Sequence, residues 1–325
     1  MKQRRAATSS GKRWTMTDRA RYLQCKHIPA RFNNDDTVEM LWQEHGSALK
    51  RQPVEQPGRS LLDLKIEIAR RIYHDCHFCE RGCHVDRSSN TGYCDVRDAA
   101  VASEFLHHGE ESMLVPSHTI FFSGCTFTCV FCQNWDISQR QRGMYVRPER
   151  MAAVIEQRDG VNVNWVGGDP TPNLPYILMV LRACSRDVPQ VWNSNMYCSV
   201  ETLQLLDGII DIYLTDFKYG SDTCAAELSD APGYWDVVTR NHCIADGQGD
   251  LVVRHLVMPN HVECCSLPIM DWLAEHVPGA TVNVMDQYRP CYQAGEHPGI
   301  DRRITREEYR RVIEHAHRLG LTLVE

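Results

Sequence analysis

The sequence predicts an α/β protein with a parallel sheet, and three observations support that fold class. From residue 118 onward, short apolar segments alternate with amphipathic helical patterns, which is typical of βα units. The chain has 325 residues, 43% of them hydrophobic, which is enough for one large core or two smaller ones. Its sequence contains no apolar run of about 18 residues that would predict a transmembrane helix.

Residues 1–60 are predicted to form a polar, partly disordered leader. The first 26 residues carry eight Lys or Arg against one Asp, which favours a solvated arm, with a polyanion contact as the alternative. No apolar segment of a signal peptide follows this basic stretch, so we expect a cytoplasmic location and no membrane association. The formal net charge of −7 gives no reason to expect a nucleic-acid partner.

Residues 61–110 are predicted to be a helix followed by a cysteine-rich, metal-binding extension. Cys76, Cys79, Cys83 and Cys94 have the spacing C-x2-C-x3-C-x10-C, and four thiolates make a closed tetrahedral site plausible in a reducing compartment. The spacing does not separate zinc from a second iron–sulfur cluster. It also leaves open whether the segment staples the leader to the rest of the chain or relays electrons.

Residues 111–325 are predicted to hold the sheet, since six strand patterns occur there. Right-handed crossovers would curl such a sheet into a barrel or spread it into a doubly wound layer, with the chemistry at the carboxyl ends of the strands in both cases. The predicted strands are residues 118–124, 161–168, 189–194, 210–217, 251–258 and 281–288.

Three cysteines follow the first predicted strand, in the stretch SGCTFTCVFCQNW. Cys125, Cys129 and Cys132 are one ligand short of a structural zinc site, whereas three thiolates on a cubane cluster leave one iron open to an outside ligand. Packing as small buried residues is the alternative, but burial does not explain the spacing. The remaining eight cysteines, among them the adjacent Cys264 and Cys265, are expected to have no metal-binding role.

The C-x3-C-x2-C spacing, with an aromatic residue before the last cysteine, resembles the signature of radical S-adenosylmethionine (SAM) enzymes. The stretches SGCTFTCVFCQNWDISQ, HHGEES, VWNSNMY, DIYLTDFKY, VRHLVMPNH and MDQYRP look like successive motifs of pyruvate formate-lyase activating enzyme homologues. The resemblance covers residues from about 74 to 320. Only the leader lies outside it.

The resemblance implies a partial (βα)6 TIM-like barrel of the radical SAM type, with a [4Fe-4S] cluster on Cys125, Cys129 and Cys132. In the family, SAM chelates the open iron, and reduction of the cluster splits it into methionine and a 5'-deoxyadenosyl radical. A one-electron donor such as flavodoxin or ferredoxin is then the implied partner, together with a glycyl radical enzyme if the chain is an activase.

Several residues resemble the family's SAM contacts. Gly167, Gly168 and Asp169 are similar to its GGE motif, with Asp in place of the usual Glu, although a tight turn is the alternative. Asp216 and Lys218 resemble a D-x-K motif whose lysine meets the SAM carboxylate; the alternative is a solvated charge pair. Weaker candidates for SAM or substrate contacts are Asn193, Asn195, Arg254 and His255.

Three functions are therefore open at this point. The first is a radical SAM oxidoreductase that activates a glycyl radical enzyme, and the second is a radical SAM enzyme that modifies a small molecule, peptide or nucleotide. The third is an iron–sulfur or zinc binding protein without catalysis. No catalytic residue beyond the cluster ligands is predicted.

Overall fold

The computed structural model describes residues 20–324, which form a single eight-stranded sheet with helices packed against its outer face. The strands lie in chain order; β1 is antiparallel to β2, and every later neighbour is parallel. They are β1 (Val101–His107), β2 (Ser117–Phe122), β3 (Asn162–Gly167), β4 (Gln190–Ser194), β5 (Ile212–Asp216), β6 (Asp250–Leu256), β7 (Thr281–Met285) and β8 (Thr322–Leu323).

Eleven α-helices occur in the described part of the chain, and side-chain caps fix where several of them begin. Ser60 and Asp63 form a capping box at the start of the third helix, as Thr305 and Glu308 do at the last. The helices are α1 (Arg21–Cys25), α2 (Val38–Ala48), α3 (Leu61–His74), α4 (Trp135–Ser138), α5 (Pro148–Gln157), α6 (Leu174–Ala183), α7 (Val200–Leu206), α8 (Asp222–Ser229), α9 (Tyr234–Gln248), α10 (Leu267–His276) and α11 (Arg306–Leu319).

The predicted α/β class is confirmed, and the open sheet is compatible with the partial TIM-like barrel implied by the resemblance. All six predicted strands are present, as β2 to β7. The sheet extends beyond them at both ends. β1 lies within the predicted cysteine-rich segment but pairs with β2, so the sheet begins before residue 111.

The leader differs from the expectation over its described residues, 20–60. They form α1 and α2 and contribute buried side chains, including Tyr22 and Leu41, to the main core. The backbone N–H of Ala20 donates to Asp187 (2.7 Å) and that of Arg21 to Asp211 (3.2 Å), next to the amino ends of β4 and β5. A few apolar side chains with well-placed hydrogen bonds are enough to fold this polar stretch. Residues 1–19 of the predicted leader lie outside the described residues.

The inner face of the sheet changes from apolar to polar along the strands. Leu114 packs with Val191 and Leu214 in a small core separate from the main one. Asp216 follows Leu214 by two residues and therefore lies on the same face, paired in register with Arg254 of β6. Polar side chains thus line this face towards the carboxyl ends of the strands, where chemistry is expected.

Candidate active site at the carboxyl ends of the strands

The three cysteines of the C-x3-C-x2-C motif lie on the loop that follows β2. Each of the other two thiols raises the pKa of Cys125, after burial as the largest cause, so the three sulfurs are close enough to interact. The loop is held on three sides by backbone hydrogen bonds: Gly124 to Ile137 (2.9 Å), Val130 to Leu228 (3.0 Å) and Gln293 to Val130 (2.9 Å).

The sulfur atoms have hydrogen-bond donors around them. Ser229 Oγ lies 2.8 Å from Cys129 Sγ, Ser138 Oγ lies 3.2 Å from Cys132 Sγ, and the N–H of Phe127 lies 3.4 Å from Cys125 Sγ. Burial raises the pKa of the Cys129 thiol to about 11, against the nearby charge of Lys218, which lowers it. Three convergent thiols with donors to sulfur fit a thiolate-ligated [4Fe-4S] cluster, whose binding would release the thiol protons.

The Gly167-Gly168-Asp169 turn packs directly against this loop. A Cβ on Gly167, where φ is +135°, would stand 2.2 Å from the Phe122 backbone, and one on Gly168 would stand 2.0 Å from the carbonyl oxygen of Gly124. Only glycine allows the ends of β2 and β3 to approach this closely. The two glycines therefore help to place the loop that carries Cys125.

The carboxylate of Asp169 is 1% exposed and is occupied by neighbouring donors. It accepts from the N–H of Thr171 (2.9 Å), the hydroxyl of Ser194 (3.0 Å) and the N–H of Asn195 (3.0 Å). Asn195 in turn donates to Thr126 Oγ1 at 2.8 Å, within the cysteine loop. Asp169 thus joins the ends of β3 and β4. Asn193, two residues before Asn195, is 6% exposed.

Lys218 and Asp216 form an ion pair beside the cysteine loop, with Nζ and Oδ2 2.8 Å apart. Burial opposes the charge of Lys218, but Asp216 and the Cys129 thiol outweigh it and raise the pKa of the ammonium group. The side chains retain 21% and 28% exposure, so a ligand can reach the pair. The lysine is a fixed cation close to the predicted cluster.

Arg254 lies on the inner face next to this pair, but carboxylates hold it. Its Nε and Nη2 donate to Glu111 at 2.6 and 2.7 Å, and Nη2 also contacts Glu110. Burial opposes ionisation of Glu111, yet the hydrogen bond and charge of Arg254 keep the pKa of that carboxyl below its usual value. The neighbouring His255 is buried, with ring nitrogens 2.8 Å from the Phe217 carbonyl and 2.8 Å from Ser266 Oγ, as expected of a core histidine.

The second cysteine group also comes together. The thiols of Cys94, Cys76 and Cys83 all raise the pKa of Cys79, with burial the largest cause. Arg87, only 2% exposed, lies close enough to lower the pKa of Cys76 against burial, and it donates through Nη1 to the carbonyl of Pro172 at 2.8 Å. A buried cation beside Cys76 would offset the negative charge of a metal centre bound by these cysteines.

Histidines also lie at the edge of this group. His77 and His84 lie with Asp75 so that one ligand atom from each falls within 4.8 Å of the others. His74 instead lies 3.0 Å from Asp86. These contacts place the histidines near the four cysteines without assigning them a metal.

Arg81 is a residue of the site that the sequence did not indicate. It lies between Cys79 and Cys83, and its Nε and Nη2 both donate to the carbonyl of Thr126 at 3.0 Å. Its guanidinium also stacks on Tyr93, 3.6 Å from the ring centroid. An arginine in a cysteine-rich segment carries no spacing signal, so only the structure shows that it connects the two groups.

No helix within residues 20–324 is long and apolar enough to cross a membrane.

Comparison with known proteins gives one family match and one extensive relative. The sequence model of the radical SAM superfamily matches residues 119–273, which include the three cysteines, the GGD turn and Lys218. A protein of Methanocaldococcus jannaschii described as uncharacterized is 46% identical over 322 residues, covering 94% of this chain and 95% of that protein.

A radical SAM methyltransferase from Sphaerobacter thermophilus has a similar fold, with a TM-score of 0.50 and 12% identity, covering 89% of this chain and 93% of that one. At such identity the likeness concerns the fold alone. A domain of a pyruvate-formate lyase-activating enzyme from Bacteroides vulgatus is less similar, with a TM-score of 0.42 and 15% identity, covering 50% of this chain and 98% of that one.

Proposed function

This chain belongs to the radical SAM superfamily, and from that membership we propose that Cys125, Cys129 and Cys132 hold the [4Fe-4S] cluster of an enzyme that takes a hydrogen atom from its substrate. When bound and reduced, the cluster supplies the electron that splits SAM into methionine and a 5'-deoxyadenosyl radical. The observation that carries the proposal is that three thiols and a partly exposed cation, Lys218, lie together at the carboxyl ends of the strands.

Lys218 is proposed to bind the carboxylate of SAM. An ammonium group forms a strong charge-assisted hydrogen bond with a carboxylate, and Asp216 holds Nζ in place at 2.8 Å until the ligand arrives. Lys218 is only 21% exposed, which favours this contact because fewer water molecules compete for the ammonium group. The pair would therefore serve binding and orientation rather than proton transfer.

Asn193 and Asn195 are proposed to hydrogen-bond the ribose or methionyl part of SAM. Asp169 fixes Asn195 by accepting its backbone N–H, so the aspartate is proposed as a positioning residue and not as a direct SAM contact. Gly167 and Gly168 contribute by keeping the turn against the cysteine loop. This division of roles explains why the shorter Asp is suitable here.

The first candidate substrate is a glycine of a partner enzyme, which would become a stored glycyl radical. Support for it is the resemblance of the motifs around Cys125, Lys218 and Arg254 to those of activating enzymes. The second candidate is a small polar molecule or peptide. The ion pairs of Arg254 with Glu110 and Glu111 on the inner face favour this class, since they provide charged and hydrogen-bonding groups below the proposed SAM site.

The second cysteine group is proposed to bind zinc or a further iron–sulfur cluster. Arg81 of this group contacts the loop that carries Cys125, Cys129 and Cys132, which supports a structural role for the group. The same contact would place a second cluster next to the first one. An electron donor such as flavodoxin or ferredoxin is proposed to supply the single electron.

Deuterium transfer tests both the reaction and its substrate class. The reconstituted, reduced protein is incubated with SAM and either of two fractions: macromolecules from cells grown on α-deuterated glycine, or small molecules from cells grown in deuterated medium. Deuterium in 5'-deoxyadenosine from the first fraction supports a glycine substrate, and from the second a small molecule. Unlabelled or absent 5'-deoxyadenosine with both fractions contradicts hydrogen abstraction from either class.

A further inference from the structure

A third set of side chains that could hold a metal belongs to neither cysteine group. Cys224 lies in the first turn of α8, and His261 and Cys264 lie at the π-helical turn that follows β6. One ligand atom from each of Cys224, His261 and Cys264 falls within 4.8 Å of the other two. The sequence analysis expected these cysteines to have no metal-binding role. They are separated by 40 positions along the chain, so only folding brings them together.

The distance between the two sulfurs matches a tetrahedral zinc site. Cys224 Sγ and Cys264 Sγ are 3.7 Å apart. With a zinc–sulfur bond of about 2.3 Å, tetrahedral geometry places two sulfur ligands about 3.8 Å from each other. The pair is therefore already at the separation that one zinc ion requires.

His261 has one ring nitrogen with a lone pair for a metal. Its Nδ1 lies 2.7 Å from the carbonyl oxygen of Pro259, and since a carbonyl only accepts, Nδ1 carries the proton. That tautomer leaves the lone pair of Nε2 available. A backbone carbonyl that fixes the ring in this way is the usual support of a histidine bound to zinc.

The local backbone is unusual at this place. Residues Val262–Ser266 form a π-helical turn, in which the N–H of Ser266 bonds the carbonyl of His261 at 3.1 Å. Such turns are rare and occur often at functional sites. The turn also touches the loop after β5, because a Cβ on Gly220 would stand 2.7 Å from the carbonyl oxygen of Cys264.

A further thiol lies next to the three ligands. Cys265 Sγ is 3.8 Å from Cys264 Sγ, and the residue is 1% exposed, whereas Cys264 is exposed. A metal ion can thus reach the site from the solvent side. The buried thiol of Cys265 lies beneath and offers a soft ligand for the fourth position. Each cysteine would lose its proton on binding, as zinc ligation requires.

We propose that Cys224, His261 and Cys264 bind a zinc ion, with Cys265 as the fourth ligand. The ion cross-links the start of α8 to the π-helical turn after β6. Lys218 lies six residues before Cys224, on the loop that leads into α8, so the metal stabilises the segment that carries the proposed SAM-binding lysine. The inference depends on side-chain geometry alone and holds whether or not the proposed substrate is correct.

The test is zinc protection against alkylation in the full chain with its clusters loaded. N-ethylmaleimide labelling of Cys264 is followed by peptide mass spectrometry with and without ZnCl2, and the exposed Cys243 on α9 serves as internal control. With free zinc at about ten times Kd, roughly a tenth of the sites are empty, so labelling of Cys264 should slow about tenfold. Labelling of Cys243 should not change.

Variants separate zinc ligation from other forms of protection. His261→Gln should abolish the zinc effect on Cys264, and Cys224→Ser should contain one zinc fewer than Cys243→Ser at equal iron content. Equal labelling of Cys264 with and without zinc in the wild type overturns the proposal. So does protection that a reductant removes and a chelator does not, because that result indicates a Cys224–Cys264 disulfide.

Discussion

The guanidinium of Arg81 donates two hydrogen bonds, both 3.0 Å long, to the carbonyl oxygen of Thr126. Arg81 lies between Cys79 and Cys83 of the second cysteine group, and Thr126 lies between Cys125 and Cys129 of the first. The hydrogen bonds of Arg81 therefore join the two cysteine groups. Changes in the second group should affect the loop of Cys125, Cys129 and Cys132 through this contact.

Replacement of Arg81 by Ala should destabilise the cysteine loop. The variant loses charged hydrogen bonds to a carbonyl and the stacking on Tyr93, which together contribute about 2 to 3 kcal/mol to the free energy of unfolding. The thermal midpoint and the rate of iron loss in air are the measurements. Arg310→Ala, which removes exposed ion pairs on α11, is the control and should leave both unchanged. Equal values for the two variants would refute the role of Arg81.

Asp169→Asn should lower both stability and SAM affinity. The amide keeps the size of the carboxylate but has one acceptor oxygen, so at least one of the donors from Thr171, Ser194 and Asn195 loses its partner, at about 1 to 3 kcal/mol. Urea unfolding and the Kd for SAM report the two effects. Asp98→Asn, an exposed carboxylate, is the matched control. A normal SAM affinity in Asp169→Asn would remove this residue from the positioning role.

Lys218→Met should weaken SAM binding more than it changes the iron content. Methionine has a side chain of similar length but no ammonium group for the SAM carboxylate. Loss of a charge-assisted hydrogen bond raises the Kd for SAM about tenfold or more. Equilibrium dialysis with labelled SAM and an iron count on the same sample test this. The exposed Lys50→Met serves as control. If the Kd of the Lys218 variant is unchanged, the lysine does not bind SAM.

Buried His242 should make the protein less stable as the pH falls. Burial lowers its pKa to about 4, while the ring lies 2.8 Å from both Thr215 Oγ1 and the Val238 carbonyl. The unfolded chain takes up this proton near pH 6.5 and the folded chain only near pH 4. Neutral His242 therefore contributes to the free energy of unfolding in full above pH 6.5, and this contribution of about 3 kcal/mol is lost as the pH falls to 4.

Urea unfolding of the wild type and of His242→Gln between pH 7 and 4.5 isolates this contribution. The wild type should lose more stability over that interval than the variant, because glutamine takes up no proton. Carboxylates and the other histidines titrate equally in both proteins and cancel in the difference. Parallel stability curves would show that His242 is not the group responsible.

The strands that carry the site were predictable because each one has a recognisable pattern within a few consecutive residues. Each of β2 to β7 is a short apolar segment followed by polar residues, and that pattern is visible in a few consecutive positions. β1 was missed because VASEFLH has no clean alternation of apolar and polar residues: its exposed positions are Ser103 and the apolar Phe105. β8 has only two residues, which is too short for any periodic signal.

α9, between β5 and β6, has no clear helical period in the sequence. The inner side of α9 contains Asn241 and His242, both fully buried, so its apolar period is interrupted. Asn241 donates to the carbonyls of Met196 and Cys198, each at 2.7 Å. A buried polar helix face of this kind depends on partners far away in the chain, which no local pattern shows.

The sets of cysteines also differ in whether the sequence alone reveals them. Cys125, Cys129 and Cys132 lie within eight residues, and a loop of that length brings them together without further information. The set of Cys224, His261 and Cys264 depends on how the start of α8 packs against the turn after β6. Spacing along the chain therefore pointed to Cys125, Cys129 and Cys132 and gave no sign of the set that includes Cys224.

Formation of 5'-deoxyadenosine from SAM tests the central claim most directly. Wild type, Cys129→Ala and the control Cys243→Ala are reconstituted anaerobically, reduced with dithionite and assayed together with iron and zinc counts. We predict the nucleoside from the wild type and the control, and none from Cys129→Ala, whose metal at Cys76–Cys94 is retained. Full turnover in Cys129→Ala would contradict the cluster assignment. A loaded, reducible wild type that forms no 5'-deoxyadenosine would contradict catalysis altogether.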